Sequence, residues 1–122
     1  MSIIKSSELA EFLIFNSDKG LSNLELQVLM NLIVIDYENT FKEPLLEDKL
    51  INFKSYPFKV SEKVYWKYRN FGADSVTKPK EAYLDLSKER LKFLIERLNF
   101  YNKKSYWECV SIVREYFENK GV

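Results

Sequence analysis

Ser22-Asn23-Leu24-Glu25-Leu26-Gln27-Val28-Leu29-Met30-Asn31-Leu32-Ile33-Val34-Ile35-Asp36-Tyr37 is the stretch on which the fold of this 122-residue chain turns. Ser22 and Glu25 have capping-box spacing, in which a hydroxyl and a carboxylate satisfy backbone N–H groups that a new helix leaves open. From Leu24 to Tyr37 apolar side chains occur almost all round the helix, broken by a stripe of Asn23, Gln27 and Asn31 at i, i+4, i+8. A helix that apolar belongs at the centre of a bundle. The stripe reads as its one solvated or inter-helix face.

Outward from this centre, Ser6, Ser7 and Glu8 predict an earlier helix start, with Leu9, Phe12 and Leu13 at helical spacing and Gly20 as its end. Downstream, Thr40 to Pro57 loses the helical period: Pro44 interrupts it and short apolar pairs follow, which suits a strand-like insertion over about residues 41–58. Ser61 predicts the cap of a third helix carrying Val64, Tyr65, Tyr68 and Phe71 on one face and ending at Gly72. Ala73 to Lys80 is polar, contains Pro79, and is expected to be a mobile connection. Ser87 caps a fourth helix with Leu91, Leu94, Ile95, Leu98 and Tyr101 in register, and Asn102-Lys103-Lys104 breaks it. Ser105-Tyr106-Trp107-Glu108 is a second capping box. It opens a last helix with Tyr106, Cys109, Val110, Val113 and Phe117 facing inward and Gly121 as its stop. The expected fold is mainly α, a compact bundle of about five helices in a single domain spanning 1–122.

Composition narrows the chemistry. The chain is 46% hydrophobic and 16% aromatic, enough for a core and far from a disordered composition. It has no histidine and one cysteine, Cys109. That excludes an intramolecular disulfide, a Cys–His zinc site and any nucleophile paired with histidine, and it fits a reducing, cytoplasmic setting. Apolar runs such as Leu32–Ile35 are too short to cross a bilayer, and Lys5 is not followed by a signal-peptide pattern. Glu25, Glu89 and Glu108 sit at helix starts, where the dipole favours them, rather than as facing catalytic pairs. Glu43, Glu47 and Asp48 cluster in sequence without a calcium-loop spacing. Gly20, Gly72 and Gly121 are too scattered to cradle a phosphate. The expectation is therefore a non-enzymatic chain with no catalytic residues, metal or cofactor.

The net charge of +1 conceals a polarity: residues 1–50 carry a net −5, residues 51–80 a net +5 and residues 81–122 a net +1. In the basic middle, Lys54, Lys59, Lys63, Lys67 and Arg69 alternate with Phe53, Tyr56, Phe58, Tyr65, Trp66, Tyr68 and Phe71. Lys59, Lys63 and Lys67 follow at i, i+4, which predicts one basic ridge on the third helix. The plain reading makes the aromatics core and the lysines its solvated side. The functional reading makes Phe53, Lys54, Tyr56, Pro57, Lys59, Lys63, Trp66 and Lys67 a partner-binding surface for an acidic protein. Nucleic acid is a second candidate, since interleaved cations and aromatics hold phosphates and stack on bases. No pair of short helices joined by a tight turn presents a major-groove reading face.

Several segments in order resemble the Panacea (SocA-like) antitoxin domain, also described as the phage-associated GepA-like family. Leu26-Gln27-Val28-Leu29-Met30 is similar to the family's Leu-Gln-Lys-Leu-Leu helix opening, and Lys42-Glu43-Pro44-Leu45-Leu46 keeps the Pro-Leu core of its Gly-Lys-Pro-Leu-Phe. Phe53-Lys54-Ser55-Tyr56-Pro57-Phe58 resembles its Ala-Trp-Lys-Tyr-Gly-Pro-Val turn. Ser61-Glu62-Lys63-Val64-Tyr65 resembles the Pro-Glu-Val-Tyr helix start that follows, and Ser105-Tyr106-Trp107-Glu108 its Ser-Ala-Trp-Glu-Leu start. The resemblance runs over roughly residues 7–117. Departures include Tyr56 where the turn's glycine is expected, an insertion around Lys59, and Val110-Ser111-Ile112-Val113-Arg114-Glu115 in place of a histidine-containing segment.

The resemblance implies a helical module that binds and neutralises a toxin without catalysis, with the toxin's identity varying across the family. It places the candidate interaction surface on the Phe53–Pro57 turn and the helix after it. Two alternatives stay open: a phage or mobile-element inhibitor of a host defence protein, and a nucleic-acid-binding regulator using residues 53–71.

Overall fold

A computed structural model describes residues 3–120, so the stop expected at Gly121 lies outside the described residues. The chain is mainly helical: α1 (Ser6–Asn16), α2 (Asn23–Phe41), α3 (Glu62–Lys67), α4 (Lys88–Asn102) and α5 (Tyr106–Asn119). A small antiparallel sheet, β1 (Ile51–Asn52) with β2 (Lys59–Val60), separates α2 from α3, and a 3-10 turn (Arg69–Phe71) extends α3. The expected insertion near 41–58 is present, with its second strand starting at Lys59.

The capping residues read from the sequence perform as caps. Ser22 Oγ accepts the Glu25 N–H at 3.2 Å while Glu25 Oε1 accepts the Ser22 N–H at 2.9 Å, and Ser105 with Glu108 repeats the arrangement. Ser61 and Ser87 accept from Val64 and Arg90 in the same way. α2 ends where Lys42 enters the left-handed region at φ 57° and returns its N–H to the Glu38 carbonyl. Gly72, with φ 56° and ψ −125°, closes the 3-10 turn in a conformation open only to glycine.

α2 is the axis of the molecule. It packs against α1, α3, α4, α5 and β2, and Leu26, Met30, Ile33 and Tyr37 along it are fully buried. The stripe of Asn23, Gln27 and Asn31 is buried as well, at 5%, 0% and 2% exposure, so it is no solvated face. It docks the β2–α3 segment (Lys59 to Tyr65). The Asn31 side chain accepts the Lys59 N–H at 3.0 Å and donates to the Lys59 carbonyl, bracketing one residue as a neighbouring strand would. Gln27 Oε1 accepts the Ser61 N–H at 2.9 Å, and Asn23 Nδ2 donates to the Tyr65 carbonyl at 3.0 Å. Lys59 and Ser61 share one edge of β2, while Val60 pairs with Ile51 of β1. Asn31 and Gln27 therefore take the place of a third strand along β2 and the residue after it, while Asn23 anchors the first turn of α3.

Ser61 is a second junction. Its hydroxyl lies 2.6 Å from that of buried Ser6, and Ser6 in turn gives its N–H to Asp48 Oδ1 at 2.7 Å and its hydroxyl to Asp48 Oδ2. Asp48 thus caps α1 from a distant loop, in addition to the local Glu8 bond to the Lys5 N–H.

Two expectations are corrected. α1 ends at Asn16, four residues before Gly20, because the Ser17 hydroxyl closes a local turn with both backbone groups of Lys19 and also accepts from Asn102 Nδ2. Gly20 instead lies against Ser75, where a Cβ would have no room. Residues 73–80 are anchored rather than free: buried Val76 gives its N–H to the Leu21 carbonyl at 2.8 Å, and Lys78 Nζ reaches the Ser17 carbonyl.

Asn31→Leu, which leaves the Lys59 N–H and carbonyl unpaired, is expected to cost about 2 kcal/mol in urea denaturation. It should also speed hydrogen exchange at Lys59; a loss within error of zero would show that the bracket does not hold the hairpin. Lys42→Gly is expected to gain about 0.5 kcal/mol, since removal of a left-handed strain of about 1–2 kcal/mol outweighs about 0.5–1 kcal/mol of added chain entropy.

Candidate functional site

The segment singled out in the sequence divides in the structure. At the tip of the β1–β2 hairpin, Phe53, Lys54 and Tyr56 meet Tyr65 and Trp66 of α3. The Phe53 ring lies 4.8 Å from that of Tyr65 and 6.1 Å, edge-on, from that of Trp66. Tyr56 stacks on Phe58 with centroids 5.2 Å apart. The turn is closed by the Tyr56 N–H to the Phe53 carbonyl, and Lys54 takes its left-handed position at φ 52°. The positive φ falls on Lys54, not on Tyr56. Its cost is offset by where the side chain then goes: the ammonium sits 5.3 Å from the Tyr65 ring centroid and 5.6 Å from that of Phe53, and donates to Tyr65 Oη at 3.1 Å.

Trp66 is the outward part of the cluster, 48% exposed, with the Arg69 guanidinium 5.1 Å from its ring. Arg69 belongs to the site although the sequence reading left it outside. Its signal was the i, i+3 spacing from Trp66, which brings the pair together across the end of α3. Tyr65 was read as core. Its ring is largely buried, yet its hydroxyl accepts from Lys54 and lies 3.5 Å from that of Tyr56, linking the two.

The basic ridge is corrected. Lys59 lies in β2, before the Ser61 cap, so it is not in phase with α3; its ammonium rests 5.1 Å over the Phe117 ring of α5. Lys67 is on α3 but paired with Glu11 of α1 at 3.1 Å. Lys63 stands exposed on α3, and Pro57 is half-buried in the turn leading to β2. Among the described residues no carboxylate lies within ion-pair distance of Lys54, Lys63 or Arg69.

Several acidic residues lie away from the cluster and are engaged: Glu43 with Arg90 at 2.9 Å, and Asp36 with Arg97 at 2.9 Å and the Tyr101 hydroxyl at 2.6 Å. Among the described residues no three metal-ligating side chains converge, and none of the buried polar residues is a carboxylate. Cys109 is buried, and desolvation pushes its thiol up, away from the reactive thiolate.

The two phenols at the hairpin tip divide their protons unequally. The Tyr56 hydroxyl and then the Lys54 ammonium stabilise the Tyr65 oxygen as an anion and lower its pKa. The same bond to Tyr65, together with burial, pushes Tyr56 up to about 12.

Comparison with protein-family models, curated proteins and solved structures finds no match for this chain.

In a spectrophotometric titration, wild type should show one tyrosine ionising ahead of the bulk and two lagging toward pH ~12, Tyr56 and, through burial and its bond to Asp36, Tyr101. Once Tyr65 is charged, Tyr56 must keep its proton to donate to it. Tyr65→Phe should abolish the early step and return Tyr56 toward the bulk, leaving the late step to Tyr101 alone; a late step still amounting to two phenols would separate Tyr56 from Tyr65.

Proposed function

We propose that this chain is a non-catalytic protein-binding module of the antitoxin type that its resemblance to the Panacea domain implies, acting in the cytoplasm by direct contact with an acidic partner. The observation that carries the reading is the hairpin-tip cluster. A half-exposed tryptophan is held edge-on by Phe53 and Tyr65 and faced by a guanidinium, with Lys54 and Lys63 nearby in the chain and free of carboxylate partners. Rigid aromatic anchors beside arginine are the side chains that dominate binding energy at protein interfaces. Unpaired cations around them select an acidic counterpart and speed its approach. The partner class is a toxin encoded beside this chain. A host defence protein targeted by a phage or mobile element is the variant of this reading with a different target. Binding uses Phe53, Lys54, Tyr56, Lys63, Trp66 and Arg69, with Lys59 and Lys67 outside the contact.

Co-expression with the adjacent gene, followed by co-purification and a growth assay, tests the reading. Trp66→Ala combined with Lys63→Glu should weaken the complex by at least about tenfold while the melting temperature stays within the range of surface changes. Undiminished neutralisation by that variant would overturn the surface. Steeply salt-dependent affinity for single-stranded DNA or RNA, lost in the same variant, would replace the protein partner with nucleic acid.

A further inference from the structure

A second concavity lies at the base of the hairpin rather than its tip, between the C-terminal half of α2, residues 44–50, β2 and the end of α5. Its volume is about 350 Å³, within the range of small-molecule sites. Val34, Ile35, Leu46, Leu50 and Phe117 supply an apolar wall. Interiors close over such space unless the walls are held apart. Here they are held: the Ile4 N–H reaches the Leu45 carbonyl at 2.9 Å and the Glu47 N–H the Ile4 carbonyl at 2.7 Å, fixing the 44–50 side. Asn31 fixes Lys59 by both backbone groups on the other.

The charges at this groove are unbalanced. Lys49 and Lys59 line it, and no carboxylate lies within ion-pair distance of either among the described residues. Glu38 is the one acid in the lining, and its Oε2 accepts the Leu45 N–H at 3.3 Å. Asn31, also in the lining, has both side-chain polar atoms engaged by Lys59. The Lys59 ammonium is already positioned over the rim by the Phe117 ring at 5.1 Å.

We infer that this groove binds a small amphipathic anion, an apolar chain or ring carrying one carboxylate. A purely apolar guest leaves two cations unused, and a bare inorganic anion leaves the apolar wall in water. A carboxylate with an apolar body satisfies both, with charge-assisted bonds to Lys49 and Lys59 and its body along Val34, Ile35 and Leu50. This site goes beyond the proposed function and is separate from it, because Trp66 and Arg69 take no part in the lining.

Isothermal titration of the full chain with decanoate below its micellar range, and with decanol as the uncharged counterpart, tests this. Decanoate should bind one per chain, and decanol at least about tenfold more weakly. Lys49→Gln with Lys59→Gln should weaken decanoate by at least about tenfold. Ile35→Trp, which fills the groove, should abolish binding; Leu50→Trp serves if that variant does not fold. Trp66→Ala should leave decanoate binding unchanged. Absence of decanoate binding at millimolar concentration, equal affinity for decanol, or binding that survives both groove-filling changes would overturn the site.

Discussion

The structure depends on three buried amides of α2 meeting the backbone of one segment, Lys59 to Tyr65. α2 is too apolar to lie anywhere but the centre, so Asn23, Gln27 and Asn31 are carried out of water with it. A buried amide without partners costs about 1–3 kcal/mol, and three would consume a large part of a small domain's stability. The chain supplies their partners from its own backbone at Lys59, Ser61 and Tyr65. That choice fixes the hairpin's position, and through Ser61 it also fixes the start of α3 and, by way of Ser6 and Asp48, the start of α1. Burial of Phe58 and Val60 already selects which face of the strand turns inward, and the amides add to it by accepting only the backbone groups of Lys59 and Ser61.

What was legible in the sequence is what is decided locally. Capping boxes at Ser22 and Ser105 satisfy N–H groups within one turn, so their residues mark the helix starts wherever the helix goes. The polar stripe could be seen but not oriented, because an amide at i, i+4, i+8 is equally suited to water or to a strand edge twenty-eight residues away. The end of α1 was misplaced because glycine signals a stop only when nothing stops the helix earlier, and the Ser17 turn does.

The basic ridge failed for a reason the sequence did contain. Lys59, Lys63 and Lys67 are evenly spaced, but a helix capped by Ser61 cannot include Lys59 in its period. The even spacing runs across a boundary that the Ser61 cap marks. The hairpin cluster was half visible for the opposite reason. Its aromatics were adjacent in the chain, while the hydroxyl that ties Lys54 to Tyr56 belongs to Tyr65, a residue that any helical pattern assigns wholly to the core.

The charge polarity along the chain takes on a sharper meaning once contacts are known. The acidic first part is drawn on by folding: Glu11 of α1 pairs with Lys67 of α3, while Asp36 of α2 and Glu43 just past its end pair with Arg97 and Arg90 of α4. Such pairs contribute little stability at the surface, but they remove cations from the pool available to a partner. Among the cations left without an ion pair are Lys54, Lys63 and Arg69 around an exposed tryptophan at one end of the hairpin, and Lys49 and Lys59 around an apolar groove at the other. Both remainders sit on β1, β2 and their flanks, the segment that the amides of α2 hold in place. The same three hydrogen-bonding side chains that position the hairpin and α3 therefore also settle where positive charge without an acidic partner meets exposed apolar surface.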